Sequence, residues 1–101
     1  MQQATPDAYV PPKPLTQVQP VISPSMRAML THEVHVNVRV SLDETGRIIS
    51  AKAEDLNGSM VVFFVAPAVE AARHWKFRPA RLGARNVPAD IVLRFRFTSN
   101  R

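Results

Sequence analysis

The side chains with the widest chemical repertoire in this sequence are three histidines and two acidic pairs. His32, His35 and His74 could ligate a metal, and Asp43-Glu44 or Glu54-Asp55 could divide acid from base in a hydrolytic step. Their spacing argues against both. On an alternating strand His35 projects to the face opposite Val34 and Val36, and the chain has neither a cysteine nor a second inward histidine to complete a ligand set. Asp43 and Glu44 belong to the turn signal Asp43-Glu44-Thr45-Gly46, while Glu54 and Asp55 point to opposite sides of a strand end. No serine or threonine sits in a nucleophile elbow, and the three glycines are isolated, so none belongs to a phosphate-cradling loop. The expectation is a protein with no catalytic residue, no metal and no cofactor.

Composition narrows the remaining classes. A chain of 101 residues has room for one small domain with one modest core. Its longest apolar stretch, Met60 to Val69, is broken by Pro67 and falls short of the roughly 20 residues of a membrane span. Met1-Gln2-Gln3 begins no secretory signal, which leaves either a cytoplasmic chain or, as expected here, part of a longer one. Without cysteine the redox compartment stays open. The net charge of +5 is spread singly over Arg39, Arg47, Lys52, Arg73, Arg78, Arg81, Arg85, Arg94 and Arg96, so a solvated surface is expected rather than a nucleic-acid site.

The elements that would position these residues follow from pattern. Residues 1–22 carry Pro6, Pro11, Pro12, Pro14 and Pro20 and predict an extended arm, mobile to about residue 18. Ser23-Pro24 reads as an N-cap and first helical residue, with Met26, Met29 and Leu30 on one face of a short helix. From Glu33 to Asp43 the alternation Val34, Val36, Val38, Val40, Leu42 predicts a strand buried on one face. A hairpin at Gly46 returns as a strand from Arg47 to about Asp55, with Ile49, Ala51 and Ala53 expected inward. A helix from about Val65 to Trp75 buries Phe64, Ala68, Ala71, Ala72 and Trp75, and Pro67 fits only in its first turn. Met60 to Phe63 reads either as a preceding helical turn or as an exposed patch. A basic loop, Ala80 to Pro88, leads to a last strand, Asp90 to Thr98. Its residues Ile91, Leu93, Phe95 and Phe97 face inward, and Asp90, Val92, Arg94, Arg96 and Thr98 face out. The predicted fold is an α+β two-layer sandwich of order α-β-β-α-β, in which a three-stranded antiparallel sheet packs on the crossover helix. Val36, Val38, Trp75, Phe77, Phe95 and Phe97 are expected in the core, and the last strand is an edge.

Several of these residues fall into a known arrangement. Gln19-Pro20, Ser23-Pro24 with Arg27-Ala28, Val34-His35-Val36, Gly46-Arg47-Ile48 and Trp75-Lys76-Phe77-Arg78-Pro79 follow one another as the corresponding motifs do in the C-terminal domain of TonB. The sequence resembles that family from about Gln19 to Thr98. It departs from it where Ser23-Pro24 replaces Tyr-Pro, where one residue is inserted between Pro20 and Pro24, and where His32 replaces a usual glycine.

The resemblance implies a periplasmic, non-catalytic domain over residues 23–101 behind a Pro-rich linker. It implies an anchor in a longer parent that engages an ExbB–ExbD-type inner-membrane complex. The implied partner is the N-terminal TonB box of an outer-membrane transporter, added as a strand to the edge Asp90 to Thr98. Gln19, Pro20, Asp90, Val92, Arg94, Arg96 and Thr98 would then be the peptide-binding residues. The alternatives are a small basic module for polyanions or nucleic acid, and a cell-envelope domain that self-associates as a homodimer through the same edge. The first is weakened because Phe95 and Phe97 share the inward parity of Ile91 and Leu93, which leaves no outward stacking platform.

Overall fold

In the computed structural model, which describes residues 8–58 and 60–98, eleven elements follow along the chain. They are Tyr9–Val10 (β1), Lys13–Thr16 (β2), Pro24–Ala28 (α1), Val34–Leu42 (β3), Ile48–Glu54 (β4), a 3-10 turn at Val61–Phe64, Val65–Arg73 (α2), Lys76–Arg78 (β5), Ala80–Leu82 (β6), Arg85–Val87 (β7) and Ala89–Phe97 (β8). The alternating valines form the centre of the main sheet. Its antiparallel order is β4-β3-β8, and Val34, Val36, Val38, Val40 and Leu42 are all buried on one face.

The helix covers that face through small residues. Ala68, Ala71 and Ala72 are buried on α2, while Ala51 and Ala53 of β4 pack against the same core, so helix and sheet approach closely. Pro67 is the third residue of α2, within the first turn, where its missing donor costs no helical bond. The helix ends at Arg73, two residues short of Trp75, whose backbone N–H donates to the Ala72 carbonyl at 3.1 Å. The segment before it is both things the sequence left open. Val61 and Phe64 of the 3-10 turn are buried, Phe64 with its ring centroid 4.9 Å from that of Phe97, whereas Val62 and Phe63 are exposed.

The first helix starts as its cap residues dictate: the Ser23 hydroxyl accepts from the Met26 N–H at 3.1 Å, with Pro24 as the first helical residue. The β3–β4 hairpin is also built by a side chain. Asp43 Oδ1 accepts from the Thr45 and Arg47 backbone amides at 2.9 and 3.0 Å and from the Thr45 hydroxyl at 2.6 Å. These bonds, the Thr45 hydroxyl first, hold the Asp43 carboxyl below its ordinary range.

Three sequence expectations are corrected. Ile49 was expected inward but is 63% exposed; a β-bulge sets Ser41 opposite Ser50 and Leu42 opposite Ile48. The extra residue changes the side-chain parity at this end of β4, so Ile48 packs on the core with Ala51 and Ala53. The arm was expected to be mobile and is instead paired: β1 lies antiparallel to β6 and β2 to β5. It is extended, as its prolines require, and Pro14 is tolerated because β2 is an edge that loses register beside it. The stretch of the arm before Ala8, with Pro6, lies outside the described residues, as do residues 99–101. Finally, the basic loop Ala80 to Pro88 contains the hairpin β6–β7, turned at Gly83, whose N–H donates to the Ala8 carbonyl at 2.8 Å.

Candidate functional site

The candidate site is the long edge of the main sheet, and its orientation can be worked out from the hairpin. The Asp43 N–H donates to the Arg47 carbonyl at 2.9 Å, so the backbone of Asp43 faces β4. Backbone groups alternate sides along an antiparallel strand. β3 pairs with β8 from Leu42↔Ala89 to Val34↔Phe97 without a register shift. Hence Leu42, Val40, Val38, Val36 and Val34 face β8, and Ala89, Ile91, Leu93, Phe95 and Phe97 face back. The backbone N–H and C=O groups of Asp90, Val92, Arg94 and Arg96 therefore aim at the free edge, where no described strand pairs with β8. The same four side chains are exposed, on the face of the sheet opposite the helix.

That face carries a charged network across the two strands. Arg94 Nη2 donates to His35 Nδ1 at 2.7 Å. Arginine can only donate, so Nδ1 is the acceptor; His35 holds its proton on Nε2 and donates it to Glu33 Oε2 at 2.9 Å. Arg96 Nε lies 3.3 Å from the same carboxylate oxygen. The bond from His35, with Arg96 beside it, holds the Glu33 carboxyl below its ordinary range. Arg39 and Glu54 form a two-bonded pair at 2.8 and 3.2 Å further along. Sequence reading passed over Glu33 and His35 as neighbours of β8; the signal that places them there is their equal parity, Glu33 just ahead of β3 and His35 within it opposite Arg96.

Gln19 and Pro20 follow Val18, which Trp75 ties to the buried side of β8. The indole N–H donates to the Val18 carbonyl at 2.9 Å, and the ring meets Phe95 of β8 edge-on at 5.9 Å and stacks on Phe77 at 6.0 Å. Gln19 is exposed and Pro20 half-buried directly after that bond. Asp90 stands opposite Ser41, and Thr98 lies exposed just past the end of β8. Val36, Val38, Phe77, Phe95 and Phe97 are buried, while Trp75 is half-buried and packs against them. Trp75→Ala should therefore lower stability by about 3 kcal/mol, the lower end for a large aromatic, and should release the arm as well. Urea titration checks the first effect and hydrogen exchange across β1 and β2 the second; wild-type values in both would make Trp75 a surface contact only.

His32 and His74 are exposed beside Thr31 and Glu70. Among the described residues no group of three His, Cys, Asp or Glu side chains could hold a metal, and no helix is long and apolar enough to cross a membrane. No curated protein matches the sequence. A family model does: that of the Gram-negative bacterial TonB protein C-terminal, over residues 23–99, which takes in α1, the main sheet, α2 and the candidate edge. The chain belongs to the TonB C-terminal domain family.

Proposed function

We propose that this chain is the periplasmic peptide-binding domain of a TonB-like energy transducer and takes the TonB box of an outer-membrane transporter as an added strand along β8. The family is one of non-catalytic interaction domains of the bacterial envelope, which act on outer-membrane transporters in general. The observation that carries the finer reading is the edge itself: four consecutive alternate residues, Asp90, Val92, Arg94 and Arg96, offer backbone donors and acceptors to a strand laid beside them. Main-chain bonds supply the affinity. The side chains of Val92, Arg94 and Arg96 flank the ligand's open-face positions and select among sequences, with Gln19, Pro20 and Thr98 at the margins. Residues 1–22 act as the linker ahead of the domain, and an anchor in a longer parent couples it to an ExbB–ExbD-type complex.

Amide shifts on titration with a synthetic transporter N-terminal peptide test this reading. They should concentrate at Asp90 to Arg96 and around Gln19, and moderate salt should weaken binding without abolishing it, because exposed charge pairs contribute roughly 0 to 1 kcal/mol. Shifts confined to β4, or binding that transfers equally to any polyanion, would reject it. The same edge could pair two copies of the chain, and a molecular mass that rises with concentration during size exclusion would favour that use.

A further inference from the structure

A groove of about 430 Å³ opens where the hairpin tip, the arm, the end of α2 and β5 meet, and no residue of β8 lines it. Its apolar lining is Leu15, Ile48, Trp75 and Phe77, and Arg47, Arg73 and Lys76 line it as well. The three cations come from three different elements. Among the described residues none of them has a carboxylate within ion-pair distance, whereas Arg39 and Arg96 on the open face of the sheet are bonded to Glu54 and Glu33. No acidic side chain lines the groove either. Of the acids nearest along the chain, Asp43 has its Oδ1 engaged by the Thr45 and Arg47 amides, and Glu44, exposed beside Thr45, is not part of the groove lining. Three like charges beside an apolar lining repel one another and are relieved by an anion that also brings an apolar group.

The shape selects the kind of anion. The volume lies near the lower end of small-ligand sites, roughly 300–1,000 Å³, which admits one or two side chains. A bilayer surface is flat and is met by several protruding apolar residues, but here Phe77 is buried and Ile48 and Trp75 are half-buried, so of the four apolar lining residues Leu15 alone protrudes. Nucleobases need a free aromatic face, yet Trp75 is fixed by its bond to Val18 and its stacking on Phe77. We propose that this groove is a second peptide site, which takes an acidic segment of a partner protein with one apolar side chain seated against Trp75 and carboxylates at Arg47, Arg73 and Lys76. It does not depend on strand addition at β8.

Trp75 is the sole tryptophan of the sequence and reports on the groove directly. Titrating the full chain with the peptide Asp-Leu-Glu-Leu-Asp should give a saturable change in its fluorescence. The amide version, Asn-Leu-Gln-Leu-Asn, should give a much weaker one. Arg47→Glu and Lys76→Glu should each weaken binding about fivefold, as loss and reversal of one exposed charge pair imply. Leu15 is 60% exposed, so Leu15→Ser should weaken binding with no change in melting temperature. An excess of transporter peptide should leave the titration unaltered. The inference is overturned by no saturable change, by equal binding of the amide peptide, by competition from the transporter peptide, or by heparin or phosphatidylglycerol vesicles eliciting the signal while the acidic peptide is inert.

Discussion

Arg94→Pro should weaken transporter-peptide binding by about thirty- to a hundredfold while the domain remains folded. The Arg94 N–H aims at the free edge, so its loss breaks no bond to β3, but an incoming strand loses a donor and meets the proline ring instead. Two or three forfeited main-chain bonds at about 1 kcal/mol each give the expected factor. Arg94→Ala isolates the backbone effect: it retains the amide and should weaken binding no more than about fivefold. Phe95→Pro should behave in the opposite way, because the Phe95 N–H faces Val36 and its ring is buried; there the fold itself fails. Calorimetric titration beside thermal melts distinguishes the cases. Undiminished binding by a folded Arg94→Pro protein would remove β8 from the site.

The parity behind this result could be read in the sequence only in part. Val34 to Leu42 and Ile91 to Phe97 each contain four or five apolar residues at period two, enough to fix both strands, the buried face and the edge position of the last strand. Their partners were less legible. A single bulge at Ile49 reversed the reading of β4 at that end, because one inserted residue moves side chains across the sheet and leaves no compositional trace. Strands β1, β5, β6 and β7 have two or three residues each, too short to show a period. The arm's prolines signalled extension correctly but could not show that an extended segment would find partners in β5 and β6. Of the candidate site, the residues were legible and the backbone orientation was not; that depended on the Asp43–Arg47 bond at the hairpin.

Gly46→Ala should cost about 3 kcal/mol or more, a loss of roughly 10 to 20 °C in melting temperature for a domain of this size. Two effects combine. Gly46 has φ +86°, where a side chain costs on the order of 1 kcal/mol. A Cβ there would also stand 2.2 Å from the Phe77 carbonyl oxygen and 3.2 Å from the Pro79 nitrogen, and neither can swing aside because both are backbone atoms. The hairpin tip would have to lift off β5. Gly58 supplies the control, with φ +94° and nothing within 4 Å of its Cβ position, so Gly58→Ala should show the backbone cost alone. Equal melting temperatures for the two variants would mean that the contact with Phe77 yields freely.

The arm is fastened in succession along its length: the Ala8 carbonyl on the Gly83 N–H, β1 on β6, β2 on β5, and the Val18 carbonyl on the Trp75 indole. Tension applied to the N-terminal end would reach them one after another, peeling the two residues of β1 before the four of β2 and the indole bond last. Each fastening is weak alone, so the arm would pay out as a leash, by up to about 3.3 Å for every residue released, before any pull reached the strands of the main sheet.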